Sequence, residues 1–418
     1  MKRLLFIFVF LYFSALSNNA ASLIITLNDA IETALQHNPG LNLTRARLAI
    51  YDADITISKA RYNPSLVSDN GIAEKTYRLG IEKIFELGNK RGKRIELAKA
   101  NKEVSLADLE AKTLDLKAST RYAYTELYIL QEKNKSYEEI LSTAKSFHKI
   151  ASQREESGDI ATLDVLQVEM TLLNAQNDLE TIKAQLVEAQ IKFNSLLNYP
   201  LDTRLELLNP SQTLDSSTSN NKYLYAQVDE NIANLKELTH SALLNRPELK
   251  QNFQEKFSSQ KELELAKASR IPNLSLTVGP DLVVNQGGND LGVFVIGNVQ
   301  LPVFNRQQGQ IQAAKAKQSV FDHEYLALEN QIQYEVHSAF NSFNYNKERI
   351  KRYEEELLPK AQTINEKSKR CFEEGKCSVL IPINAQQSFI NTKLGYLESL
   401  MAYQNSISKL ERSTGTKL

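Results

Sequence analysis

Ala34-Leu35-Gln36-His37-Asn38-Pro39-Gly40-Leu41 returns later in the chain as Ala242-Leu243-Leu244-Asn245-Arg246-Pro247-Glu248-Leu249, which places Pro39 and Pro247 208 positions apart. The same offset relates Lys59-Ala60-Arg61-Tyr62-Asn63-Pro64-Ser65-Leu66 to Lys267-Ala268-Ser269-Arg270-Ile271-Pro272-Asn273-Leu274. Further on, Ile95 to Ala100 match Ile311 to Ala316 at an offset of 216, and Gly158 matches Gly375 at 217. A register held this long is an internal duplication, and the fold must be one unit used twice. The offset grows between Leu66 and Ile95, so the second copy carries the longer insertion there.

Each copy reads as helix, β-hairpin, helical hairpin. A helix is expected over 28–62 and again over about 232–270, each ending at an X-Pro step whose ring disfavours helical geometry in the preceding residue. In the second copy Leu274, Leu276, Val278, Leu282 and Val284 alternate with other residues. Beyond Gln286-Gly287-Gly288-Asn289, Leu291, Val293, Val295, Val299, Leu301 and Val303 alternate in the same way. Alternation over such a length fits a membrane β-strand with one face to lipid and the other to a lumen. The first copy is weaker: Tyr77, Leu79 and Ile81 alternate, but the partner strand at about 65–73 is short and polar.

From about Gly92 to Glu156 no proline or glycine interrupts a helix that would extend roughly 100 Å. Its apolar residues form two heptad seams, one through Ala100, Val104, Ala107, Ala111, Leu114 and Ala118, the other through Leu109, Leu116, Ala123 and Leu130. Two seams call for a neighbour on each side, as in a ring of helices. The chain reverses at Ser157-Gly158-Asp159 and, in the second copy, at Glu374-Gly375-Lys376.

Lys2, Arg3 and the apolar run Leu4 to Leu16, followed by Ala20, Ala21 and Ser22, read as a secretory signal peptide over 1–21. The chain then divides into a first repeat over 22–208 (hairpin 65–86, helical turn at 158), a polar linker over 209–231 and a second repeat over 232–418 (hairpin 273–304, turn at 375). The 50 basic and 50 acidic residues balance, which argues against nucleic acid as a partner. No later stretch has the length of a spanning helix, so contact with a membrane would need a β-barrel or the protein surface.

These features resemble the TolC-like outer-membrane efflux factors, and among them the CzcC-like branch that serves heavy-metal efflux. The resemblance rests on Leu27-Asn28-Asp29-Ala30, on Ala34 to Pro39, on Asn63-Pro64 and on Glu86-Leu87-Gly88-Asn89-Lys90-Arg91-Gly92. In the second copy it rests on Leu301-Pro302-Val303-Phe304-Asn305-Arg306 with Gly309. It implies a mainly α fold with a β-barrel part: long antiparallel coiled-coil helices in an α-barrel, and four strands per chain in a twelve-stranded barrel shared by a homotrimer. It further implies a place in the outer membrane of a Gram-negative bacterium, in contact with its lipid and with a large periplasmic part. The implied partners are a periplasmic adaptor and an inner-membrane RND-type pump, and the implied cargo is metal cations. A type I secretion or multidrug duct shares the architecture. A periplasmic coiled-coil scaffold is the reading of another class.

The resemblance also puts the two helical turns at the tunnel entrance, with acidic residues just past each turn. The entrance set is then Gly158, Asp159, Thr162 and Asp164 in the first copy and Gly375, Lys376, Ile381 and Asn384 in the second. Asp164 matches one acidic position, whereas Ile381 and Asn384 stand where acids are expected. Asp164 also fits a plain role, a carboxylate in the first turn of a helix favoured by the dipole. Cys371 and Cys377 bracket the second turn; they could pair in an exported protein or remain free thiols. His37, His148, His240, His323 and His337 lack metal-ligand spacing, and the chain has no Gly-rich phosphate loop, CxxC or nucleophile elbow. The expectation is therefore a passive conduit: not an enzyme, with no cofactor, catalytic group or bound metal of its own.

Overall fold

A computed structural model describes residues 23–71, 76–208, 234–285, 288–378 and 380–416. The expected signal peptide and linker lie outside the described residues. In chain order the elements are β1 (Leu23–Ile25), α1 (Leu27–His37), α2 (Pro39–Lys59), β2 (Ser65–Gly71), β3 (Thr76–Phe85), α3 (Lys90–Glu156), α4 (Thr162–Leu197) and β4 (Leu205–Leu207). There follow α5 (Leu235–Asn245), α6 (Pro247–Ala268), β5 (Leu274–Asn285), β6 (Gly288–Val299), α7 (Gln308–Arg352), a π-helical turn (Tyr353–Leu357), α8 (Leu358–Glu373) and α9 (Leu380–Thr414). The elements group into two compact units. One holds 1–38, 117–230 and 343–408; the other holds 39–116, 231–342 and 409–418.

The expected first helix of each copy is two helices. Asn38 has φ −60° and ψ 123°, and Arg246 has φ −68° and ψ 121°, so both leave the helical basin one residue before a proline. Each proline then opens a new helix, where its missing N–H costs nothing because the first-turn donors have no intrahelical partner. In each copy the proline just beyond the segment, Pro64 or Pro272, ends it, and the internal one, Pro39 or Pro247, divides it.

In the second unit β2, β3, β5 and β6 form one antiparallel sheet in that order. Residues opposite one another share a face, so the register sorts the side chains. Leu66, Ile81, Val278 and Val295 form one cross-strand row, Tyr77, Leu282 and Leu291 another, and Phe85, Leu274 and Val299 a third. All three rows lie on the same face. Leu291 and Val293 are 78% and 76% exposed in the single chain. The other face carries Asp69, Arg78 and Asp281 in one row, with Arg78 3.9 Å from Asp69 and 3.5 Å from Asp281. One face is therefore apolar and the other carries the ion pairs, as a lipid-to-lumen wall requires. Gly279 has no room for a side chain: a Cβ there would lie 2.0 Å from the Leu79 carbonyl oxygen.

The same unit is tied by Arg246, whose side chain is 4% exposed. Its guanidinium donates to Glu248 at 2.9 Å, to Glu335 at 2.8 Å and to the Ser413 carbonyl at 3.2 Å. Arg412 completes the group, at 2.6 Å from Glu248 and 2.5 Å from Asp115. A planar fork with five donors suits such a junction, and Lys could not replace it. In the other unit β1 pairs in parallel with β4, and the buried Tyr124 hydroxyl lies 3.0 Å from the Ile25 carbonyl and 2.7 Å from that of Leu208. Arg246→Met is expected to destabilise the protein by about 3 kcal/mol, because it takes the buried cation from Glu335 and the Ser413 carbonyl and leaves Glu248 with Arg412 alone. Thermal unfolding in detergent, compared with the parent, measures this.

Candidate functional site: the two hairpin tips

The tips belong to one unit. At the first, the Gly158 N–H donates to the Glu155 carbonyl at 2.9 Å and the Asp159 N–H to the Arg154 carbonyl at 2.8 Å. At the second, the Gly375 N–H donates to Phe372 at 3.0 Å and the Lys376 N–H to Cys371 at 2.9 Å. Both are Schellman turns, in which two successive amides beyond the helix satisfy its last carbonyls and the first of the two residues adopts left-handed geometry. Gly158 and Gly375 hold φ of 76° and 70°. Glycine is the residue that does so without strain.

A small core joins the two tips. Phe147 and Ala151 of α3, Val165 and Val168 of α4, and Phe372 of α8 are buried together, with Cys377 and Ile383 packed against them. The Phe147 and Phe372 rings meet edge to face at 6.2 Å. Arg154 lies over Phe372 at 4.4 Å from its centroid and donates to the Phe372 carbonyl at 2.9 Å. Phe372 therefore fastens the second tip to the first through its ring and its backbone. Sequence reading missed Phe372 and Arg154; the signal was a lone aromatic between two cysteines, three residues before a turn glycine.

The expected entrance residues stand around this core. Asp159, Thr162 and Lys376 are exposed, and Lys376 pairs with Glu374 at 2.6 Å. Asp164 is half-buried in the first turn of α4, where its negative charge meets the helix N-terminus. Ile381, 50% exposed, and the exposed Asn384 occupy the first turns of α9. The structure thus brings both tips together, and among the expected entrance residues Asp164 is the half-buried acid. Cys371 and Cys377 are both free and half-buried. Among the described residues no group of three or more His, Cys, Asp or Glu could hold a metal ion.

The family of outer membrane efflux proteins matches residues 30–199 and 238–416. This chain belongs to that family. It is 23% identical over 401 residues, covering 94% of the chain and 90% of the relative, to the cobalt-zinc-cadmium resistance protein CzcC of Cupriavidus metallidurans. Solved structures share the fold. The CmeC outer membrane channel of Campylobacter jejuni superposes with a TM-score of 0.74 at 18% identity, covering 93% of this chain and 85% of its own. CusC gives 0.72 at 16% identity, with 96% of each chain covered. The outer membrane protein VceC of Vibrio cholerae gives 0.72 at 17%, covering 94% and 96%. The chain is thus an outer-membrane efflux channel related to CzcC, with the mainly helical, part-barrel fold expected of it.

The arm that carries the second tip of this channel is not one helix, although the first tip's arm, α3, is continuous over 67 residues. Pro359 has no N–H for the Glu355 carbonyl, and its ring crowds that carbonyl. The helix widens just before it, and the Leu358 N–H reaches back five residues to Tyr353. Within the turn Glu354 is 8% exposed and receives a hydrogen bond from the Tyr396 hydroxyl at 3.0 Å. Neighbouring charges of α9 are engaged elsewhere, Lys393 with Glu139 at 2.8 Å and Glu398 with Lys133 at 3.3 Å. Burial pushes the Glu354 carboxyl up to about 7, against the smaller pull of the Tyr396 hydrogen bond and helped by the charge of Glu355.

Two measurements test these assignments. Gly158→Ala and Gly375→Ala should each cost about 1–2 kcal/mol through backbone strain, since a Cβ would meet nothing within 4 Å at Gly158 and only Arg154 Nη2, at an ordinary contact distance of 3.8 Å, at Gly375. Thermal unfolding in detergent reads this. For Glu354 the folded carboxyl binds its proton more tightly than the unfolded one, so its contribution to stability is greatest at low pH. Stability is lost as pH rises from about 4.5 to about 7 and is flat above that. The loss is on the order of 2–3 kcal/mol. Unfolding of Glu354→Gln should lack this part of the pH dependence; an identical pH profile would refute the assignment.

Proposed function

We propose that this chain is the exit duct of a tripartite exporter of metal cations. Three copies close a twelve-stranded barrel in the outer membrane, and their long helices form the tunnel. An inner-membrane pump of the RND type supplies the energy, and a periplasmic adaptor links it to the tunnel. The observation that carries the duct is the four-stranded sheet. One face is apolar, the other holds the Asp69–Arg78–Asp281 ion pairs, and the outer edges of β2 and β6 have no strand beside them among the described residues. Unpaired edges cannot face hydrocarbon, and a closed ring of copies removes them. The metal cargo follows the likeness to CzcC. Among the described residues no group of three or more His, Cys, Asp or Glu could hold a metal ion, and in this reading selection rests with the pump.

Gly158, Asp159, Thr162, Asp164, Gly375, Lys376, Ile381 and Asn384 surround the tunnel entrance in this reading. Asp164, repeated by three-fold symmetry, supplies a ring of negative charge that favours cations in a narrow throat. Ile381 and Asn384 withhold a second ring, which makes the throat a weak attractor that releases what it admits. Arg154 and Phe372 hold the tips together at rest.

Deleting the gene should raise sensitivity to zinc, cobalt or cadmium while tolerance to antibiotics and detergents stays normal; the reverse pattern would assign the duct to drug efflux. In planar bilayers Asp164→Asn should lower the cation-to-anion permeability ratio severalfold. An unchanged ratio would leave Asp164 as a helix-end residue only.

A further inference from the structure

An aromatic groove lies between α6 and α7, and two free thiols stand at the second tip. The groove, about 610 Å³ and lined by Phe253, Phe257, Tyr325 and Leu326, has nothing on it that says what covers it. The thiols carry an inference further.

We propose that Cys371 and Cys377 are a redox site, a dithiol that a disulfide-donating oxidant closes into an intramolecular disulfide across the second tip. The inference rests on the outer-membrane reading, which places the tip outside the reducing cytosol. The turn brings the thiols together. The Lys376 N–H bonds back to the Cys371 carbonyl, so the next residue, Cys377, returns over the last turn of α8. Its Sγ lies 4.0 Å from the Ser368 carbonyl oxygen, which belongs to the helical turn just before Cys371.

The chemistry has an order. Burial raises the Cys377 thiol to about 11, and contact with Cys371 adds to this, so at neutral pH Cys377 stays protonated. Cys371 attacks one sulfur of the donor disulfide and expels the other as a thiolate. Once Cys371 is held in that mixed disulfide it no longer opposes ionisation of Cys377, and the nearby Arg154 favours it. Cys377 then loses its proton and attacks Cys371 Sγ. Two electrons and two protons leave the pair in all, and the donor departs as two thiols.

The bridge would span Phe372, whose ring and carbonyl hold Arg154 and whose carbonyl also accepts the Gly375 N–H. Oxidation therefore pins the residue that fastens one tip to the other, and reduction leaves the turn held by hydrogen bonds and packing.

The test uses the full chain purified in detergent, equilibrated with oxidised glutathione, acid-quenched, alkylated and digested with trypsin. Cleavage at Arg370, Lys376 and Lys393 puts the two cysteines in different peptides, so Cys371–Lys376 stays joined to Cys377–Lys393 only if the bridge forms. The expected result is the joined pair. Recovery of both peptides singly, each alkylated or carrying glutathione, overturns the proposal. A second readout is native cleavage at the exposed Lys376, expected to be about five-fold slower for the oxidised protein than for the reduced one. Cys371→Ser with Cys377→Ser should be cut at the reduced rate in either buffer; equal rates for oxidised and reduced parent protein overturn the clamp. Membrane fractionation reports separately on the outer-membrane location, so a failure there is not confused with a failure of the thiols.

Discussion

A strand edge in hydrocarbon has no water to satisfy its N–H and C=O groups, and each unpaired group costs several kcal/mol. The sheet of this chain has two such edges and one apolar face. Both features are liabilities for a lone soluble chain and both vanish in a closed barrel. The internal pairing of β3 with β5 does half of that work, because it joins the hairpin of the first copy to that of the second. The duplication thus halves the number of edges each chain must present to its neighbours.

The helical tips answer a different constraint. A helix that reverses sharply must satisfy its last carbonyls, and both copies use the same Schellman turn around a left-handed glycine. The copies then part ways. The first tip offers Arg154 and a hydrophobic pocket, and the second offers Phe372 to fill it. Pro359 breaks the equivalence further, since it forces a π-turn into the second arm and buries Glu354 in it. The second arm thus carries a widened turn, a buried acid and two thiols, whereas the first is one unbroken helix.

Much of this was legible in the chain. The repeat, the two turn glycines, the longer second hairpin and the long helix all follow from residue period and from proline and glycine placement. The helix breaks before Pro39 and Pro247 obey the same X-Pro rule as the helix ends before Pro64 and Pro272. The tip core was harder to read. Arg154 and Phe372 are 218 positions apart and neither belongs to a pattern. Glu354 reads as one of three consecutive acids on a solvated helix face until Pro359 shifts the helix and turns it inward.

By itself the sequence determined the local geometry: the alternation that makes strands, the heptads that make helices, and the glycines and prolines that end them. These are properties of neighbours along the chain, set by sterics and backbone hydrogen bonding. Only the tertiary structure decided the cross-strand rows that divide the sheet into an apolar and a charged face, the Arg246 junction and the fastening of the tips at Phe372. Those depend on which distant residues share a register or a buried pocket, and that follows from packing, where burial and the pairing of charges are settled between elements and not within them.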